Sequence, residues 1–227
     1  MIIYGKQVVL HVLEKHPNLI EEVMFSKDIE PKLFKRFTSL NKKIIKLDNK
    51  KAQALAKGGN HQGFFLKLEE FSTVSLKDIK DSSFVVVLDG LTDVGNIGAI
   101  CRSAYSLGVD AIIACNVKQL NYEAIARTST GALLDLPFCH FPNILDAANE
   151  LKQIGFTLFG ASMDGEDLKS FKSNDEKIAL FLGSEGEGLT NKIQKKLDYK
   201  VSIEMSNNFD SLNVSVAAGI LIYNLKN

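Results

Sequence analysis

Apolar positions along the chain fall into two textures. In the first 68 residues, helical spacing in 6–13, 31–40 and 50–57 alternates with short β-rich apolar runs at 22–25, 43–47 and 64–68. That order predicts a small α/β unit, its third helix broken by Gly58-Gly59-Asn60. The polar stretch 69–83 carries no strong apolar period and reads as a connecting segment. The chain therefore divides into units at 1–70 and 84–227, with 71–83 between them. Beyond it, apolar runs at 84–88, 110–114, 156–161, 178–183 and 201–205 predict strands, with 138–141 a weaker sixth. Helical spacing at 97–107, 144–154, 190–197 and 212–225 separates them, which is the alternation of an α/β parallel sheet covered on both faces. Ligands on such sheets gather at the carboxyl ends of the strands. Three loops after strands stand out there: 89–98, 183–189 and 206–215.

Composition narrows the possibilities. The 227 residues are 45% hydrophobic, an ordinary globular balance, and no apolar run approaches the ~20 residues of a membrane span. The first ten residues lack a basic segment followed by a long apolar stretch, so neither export nor membrane insertion is expected. Cys101, Cys115 and Cys139 are odd in number, form no C-x-x-C pair and have no histidine at ligand spacing. Packing in a reducing cytoplasm is expected of them, with no disulfide framework and no metal. The net charge of zero conceals an asymmetry: residues 1–60 hold 12 Lys+Arg against 6 Asp+Glu, leaving 15 against 21 in the rest. A basic module on an acidic body follows, either a nucleic-acid-binding face or simply a solvated one.

The glycines of 183–189 exclude two familiar chemistries. Gly183, Gly186 and Gly188 give G-x-x-G-x-G, not the G-x-G-x-x-G of a dinucleotide site, and they lie far from the first strand of the sheet. Gly183 and Gly188 match the glycine spacing of a nucleotide-triphosphate loop, yet Leu189 and Thr190 follow where a lysine should reach the phosphates. What remains is a loop with exposed backbone, carrying Glu185 and suited to an adenosine lying against main-chain groups, or a plain strand-to-helix turn. In the first loop, Asn96 reads as a helix N-cap or a functional amide, and Arg102 as a solvated or a functional cation. In the third, Ser211 and Asn213 open an apolar, small-residue helix, where Ser211 could serve as the cap. The small residues of 214–219 imply close backbone packing against the sheet or another subunit.

Three segments, Asn96-Ile-Gly-Ala-Ile-Cys-Arg-Ser-Ala104, Leu182-Gly-Ser-Glu-Gly-Glu-Gly-Leu189 and Ile203-Glu-Met205 with Ser211-Leu-Asn-Val-Ser-Val-Ala-Ala-Gly219, occur in that order across 84–225. Together they resemble the three motifs of the SpoU/TrmH family of RNA ribose 2′-O-methyltransferases. Upstream, Ile3-Tyr-Gly-Lys-Gln-Val-Val-Leu10 and Gly58-Gly-Asn-His-Gln-Gly63 resemble the substrate-binding domain of the subfamily that modifies a guanosine of large-subunit ribosomal RNA. Two departures bear on loop shape: Val94-Gly95 stands where the family usually has proline-histidine, and Asn207-Asn208-Phe209 where small residues are usual.

The resemblance implies a C-terminal parallel-sheet domain with a deep trefoil knot, a fold that ordinary connection rules would not suggest, plus a small N-terminal α/β RNA-binding domain. It implies S-adenosylmethionine as cofactor, held largely by backbone groups at Leu182, Gly183, Ile203, Met205 and Leu212. It implies Arg102 as the residue that activates the target hydroxyl; since a guanidinium stays protonated, positioning of the phosphate or developing alkoxide is the role expected of it, with Asn96 orienting it or the ribose. Glu185, Ser211 and Asn213 would complete the polar shell. A homodimer, an RNA partner and a reaction without metal are also implied. Transfer RNA is the alternative substrate, and a non-catalytic RNA-binding role in ribosome assembly is the alternative function.

Overall fold

The computed structural model describes residues 1–168, 171, 175–184, 186, 188–206 and 211–226. The first unit opens with strand β1 (Ile2–Tyr4), helix α1 (Lys6–Lys15), strand β2 (Ile20–Phe25) and helix α2 (Pro31–Thr38). Strand β3 (Lys43–Lys46), helix α3 (Asn49–Leu55) and strand β4 (Phe64–Leu68) follow. They form a four-stranded sheet in the order β1-β4-β2-β3, with β4 antiparallel to both neighbours and β2 parallel to β3. Pairing explains why β1, three residues long and next to a helix signal, was not among the expected strands. Its backbone is fixed only by β4, more than 60 residues away in sequence.

The stretch 71–83 is packed against the second sheet. Val74 bridges to Cys139, its N–H donating to the Phe138 carbonyl, and Leu76 and Ile79 are buried in one 3-10 turn capped by Ser75 and Asp78. The second unit then runs β5 (Phe84–Asp89), α4 (Val94–Ser106), β6 (Ala111–Cys115) and α5 (Tyr122–Thr128). It continues with β7 (Phe138–Phe141), α6 (Ile144–Gln153), β8 (Thr157–Asp167) and β9 (Ile178–Leu182). It closes with α7 (Asn191–Gln194), β10 (Tyr199–Ser202) and α8 (Val214–Lys226). The six strands are parallel throughout, in the order β10-β8-β9-β5-β6-β7. Every residue of β5, β6 and β9 is buried, because helices cover both faces. That is the physical source of their unbroken apolar runs.

Helix starts are fixed by side chains that accept from orphan N–H groups: Asp93 from Asn96, Asn121 from Ala124 and Asn143 from Leu145. The N-cap reading of Asn96 is thereby corrected, since Asp93 occupies that position. The cap expected of Ser211 belongs to Asn213, whose Oδ1 accepts from the Ser215 N–H at 2.9 Å. Strand β8 is longer than the expected 156–161, because β10 pairs with it twice. Lys200 faces Gly160 and Val201 faces Glu166, so 161–165 loops out between two paired stretches. Gly165 is needed there, as a Cβ would meet the Val201 backbone at 2.7 Å. The knot expected of the C-terminal segment is not shown by the described residues, and 207–210 lie outside them.

The two units meet along α5 and the 3-10 turn Ala132–Asp135. The Ile2 N–H donates to Glu123 Oε1 at 2.6 Å. Arg127 donates to the Tyr4 hydroxyl and lies 4.4 Å from its ring centroid. Neither α5 nor its contact with β1 was legible in the sequence pattern.

Candidate functional site

At the carboxyl ends of β8, β9 and β10 the chain encloses an open cleft of about 1430 Å³. Its walls are the looped-out 161–165, the glycine loop after β9, the segment after β10 and the first turns of α8. All five residues expected to hold the cofactor line it: Leu182, Gly183, Ile203, Met205 and Leu212. Ser211 and Asn213 line it as well. Glu185 lies outside the described residues, between Ser184 and Gly186 of the cleft wall.

Backbone geometry builds this cleft. Gly183 ends β9 at a point where Gly188 folds back on it: the Gly188 N–H donates to the Ser184 carbonyl at 3.0 Å. A Cβ on Gly183 would overlap the backbone of Gly188 and stand 2.5 Å from the Leu189 nitrogen. Gly186 and Gly188 have φ of 89° and 63°, so the loop uses three glycines for two reasons, close approach at one and left-handed backbone at two. At these three positions the wall presents main-chain groups without side-chain bulk.

The cleft has an electrostatic sign. Among its described lining residues are three carboxylates, Asp164, Asp167 and Glu204, and no lysine or arginine. Asp164 is held at about 2 by hydrogen bonds from Lys200, at 2.8 Å, and from Ser162. Such a lining disfavours the phosphates of a nucleic acid, with the Lys200 ammonium offsetting the charge of Asp164.

Beside the cleft, Asn213 Nδ2 donates to Asn96 Oδ1 at 2.9 Å, tying the first turn of α4 to the start of α8. Two residues 117 apart in sequence are thereby joined. This contact requires that Asn96 leave capping to Asp93. Arg102, one and a half turns further along α4, is exposed and does not bond Asn96; among the described residues it has no hydrogen-bond or ion-pair partner. Helices α4 and α8 pack together, and a Cβ on Gly219 would make ordinary contact with Ser103 Oγ at 3.8 Å. On Gly98 it would overlap Thr128 of α5.

Sequence reasoning did not single out Asp89, at the end of β5. It is buried, with Oδ1 accepting from Asn116 Nδ2 at 2.6 Å and Oδ2 buried without a hydrogen-bond partner among the described residues. Burial pushes its carboxyl above the usual carboxylate range, partly opposed by the Asn116 hydrogen bond. Its partner supplies a second link, Asn116 Oδ1 accepting from the Ile144 N–H at 3.3 Å. The pair pins the ends of β5 and β6 to the start of α6. The three cysteines are free and buried, as expected, with burial pushing each thiol up to about 12.

Known proteins resemble this chain in sequence and in fold. Residues 83–223 match the SpoU rRNA Methylase family, and residues 2–74 match the RNA 2′-O ribose methyltransferase substrate binding family. An uncharacterized tRNA/rRNA methyltransferase of Borreliella burgdorferi is 34% identical over 82% of this chain and 88% of its own length. The 23S rRNA (guanosine-2′-O-)-methyltransferase RlmB of Neisseria meningitidis is 28% identical over 97% of this chain and 92% of its own. Among solved structures, the SpoU methyltransferase AviRb of Streptomyces viridochromogenes, in complex with AdoMet, shares the fold. Its TM-score is 0.78, at 23% identity, covering 99% of this chain and 88% of that one. With residues 83–223 and its first unit each matched, and two of its motif segments lining one cleft, the chain belongs to the SpoU rRNA methylase family.

Proposed function

We propose that this protein transfers a methyl group from S-adenosylmethionine to a ribose 2′-hydroxyl of RNA, with a guanosine of large-subunit ribosomal RNA as the target. The observation that carries this reading is the cleft of about 1430 Å³, walled by glycine backbone and lined, among the described residues, by carboxylates and no basic side chain. Those residues fit a cation bearing an adenosine. Main-chain groups at Leu182, Gly183, Ile203 and Met205 would read the adenosine, and the acidic lining would tolerate the sulfonium. When bound, the cofactor supplies a methyl carbon already activated for attack by an oxygen.

The chain's own part is positioning. Asn96 and Asn213 hold each other across 2.9 Å and thereby fix the α4–α8 junction beside the cleft. Arg102 donates and does not accept, so its role is to bind the target's phosphate or the developing alkoxide, leaving the proton to a phosphate oxygen or water. Orientation of this kind accounts for ~7–11 kcal/mol of a barrier in favourable cases. Glu185 and Ser211 complete the polar shell. The first unit, with its excess of basic residues, holds the RNA backbone, since phosphate contacts supply most sequence-independent affinity.

A homodimer belongs to the same reading. Val216 and Tyr223 on α8 and Tyr105 on the adjoining α4 are exposed apolar or aromatic side chains, and Arg102 shares α4 with them. A second copy on this face would bury them and bring Arg102 into an interfacial site. No helix among the described residues is long and apolar enough to cross a membrane, and the buried free thiols suit a reducing cytoplasm.

The test is transfer of labelled methyl from S-adenosylmethionine to total RNA from a strain lacking the gene, with ribose methylation mapped. Label at one ribose of large-subunit RNA supports the full reading. Label in transfer RNA retains the chemistry and overturns the substrate. Cofactor binding without label in naked RNA or in ribosomal particles overturns catalysis in favour of an RNA-binding role.

A further inference from the structure

The contact between the two units contains a cluster that the sequence reading passed over. His11 lies on α1, and His16 is the residue where α1 ends. Their Nε2 atoms stand 2.6 and 3.0 Å from Oδ2 and Oδ1 of Asp135, in the 3-10 turn of the second unit. The three donor atoms all lie within 4.8 Å of one another, and among the described residues no other group of three His, Cys, Asp or Glu side chains converges this way. We propose that His11, His16 and Asp135 form a binding site for a divalent first-row transition ion, which fastens the N-terminal unit to the parallel-sheet unit.

Three observations support the site. The chemistry is that of two imidazoles and one carboxylate, a donor set that suits zinc and its neighbours and leaves further positions to water. The placement is semi-enclosed, with side-chain exposures of 22% and 21% for the histidines and 9% for Asp135, so an ion reaches it without opening the fold. The position of His11 is also fixed: its ring covers Gly131, where a Cβ would come within 2.5 Å of the imidazole. Gly131 has φ of 98°, so this turn is shaped to receive the ring.

Without an ion, each imidazole can donate its Nε2 proton to one carboxylate oxygen. Binding would move that proton to Nδ1 on each ring and present both Nε2 lone pairs to the ion. Metal–ligand bonds of about 2.0–2.2 Å place tetrahedral donors roughly 3.3 Å apart. The separations of 2.6 and 3.0 Å would open by about 0.7 and 0.3 Å, and the Asp135 side chain has no other hydrogen bond among the described residues to resist this. The cysteines do not compete, being buried with thiols pushed up to about 12.

The experiment is titration of the full, metal-free chain with zinc by calorimetry and with cobalt by visible absorption, beside H11A, H16A and the double variant, with circular dichroism confirming their fold. One ion per chain is expected for the unaltered protein, at least about tenfold weaker binding in each single variant, and a zinc-dependent rise in thermal midpoint that the double variant lacks. Absence of uptake by the unaltered protein at saturating zinc and cobalt overturns the proposal without reference to any variant. So does equal binding by the folded double variant.

Discussion

Gly183 and Gly188 stand in one loop and are glycine for different reasons, which a pair of substitution series separates. At Gly183 the obstacle is steric. A Cβ there overlaps Gly188 and lies 2.5 Å from the Leu189 nitrogen, whereas ordinary contact begins near 3.4 Å, so Gly183→Ala must push the loop outward by about 0.9 Å or more. The obstructing atoms are backbone and cannot rotate away. Overpacking of this kind costs about 1–3 kcal/mol, and the Gly188-to-Ser184 hydrogen bond, worth about 1 kcal/mol net, is exposed to the same displacement. At Gly188 nothing lies within 4 Å of a Cβ, but φ is 63°, so alanine there carries left-handed strain of about 1–2 kcal/mol. Asparagine visits that region more readily than alanine. The two positions should therefore order their substitutions oppositely: at 183 damage rises with side-chain size from alanine to serine to asparagine, while at 188 asparagine is milder than alanine. Thermal unfolding followed by circular dichroism reads the difference at about 2–4 °C per kcal/mol for a chain of this size. Calorimetric titration with S-adenosylmethionine, and methyl transfer, should fall with Gly183→Ala, the latter by about a hundredfold for a 1 Å displacement of the cleft wall. A Gly183→Ala protein with unaltered midpoint and cofactor affinity, or asparagine no better than alanine at 188, would refute the reasoning.

Other expectations follow from single contacts. Asn213→Ala removes both the cap of α8 and the bond to Asn96, for about 1.5–3 kcal/mol; Asn96→Ala removes that bond and spares the cap, for about 1 kcal/mol from the bond. The double variant should cost little more than Asn213→Ala alone, and strict additivity in denaturant titrations would show that the two amides do not act as a pair. Arg102→Ala should lose most methyl transfer while cofactor affinity, measured by calorimetry, stays near that of the unaltered protein; near-normal turnover would exclude the positioning role. Burial raises the Asp89 carboxyl, so the folded state binds that proton more tightly than the unfolded chain does. The Asp89 contribution is therefore most favourable below about 3.9 and declines as pH rises through the raised value. The midpoint of the unaltered protein relative to Asp89→Asn should fall over that interval, and a pH-independent difference would show that Asp89 does not titrate upward.

Much of the parallel sheet is written locally. Strands β5, β6 and β9 are buried on both faces, so their residues must be apolar throughout, and unbroken runs need no knowledge of partners to be recognised. The motif loops are also local, because glycine spacing and the Ser211–Gly219 segment carry their backbone demands in one stretch of chain. Other features belong to the tertiary structure. β1 becomes a strand only through β4, and β8 reaches 11 residues where six were expected because β10 pairs with it on either side of 161–165. The role of Asn96 reverses for the same reason: its position near a helix start suggests a cap, but Asp93 caps, and the side chain is left to meet Asn213 from 117 residues away. His11 and His16 are five residues apart, a spacing that an ideal helix places on different sides. Only the end of α1 at His16, with φ of −132°, and a turn more than 110 residues downstream bring both rings to Asp135. Sequence determined what depends on hydrophobic period and glycine backbone, since these act within a few residues. Contacts between polar side chains were decided by the fold, because a hydrogen bond constrains position in space and leaves no period along the chain.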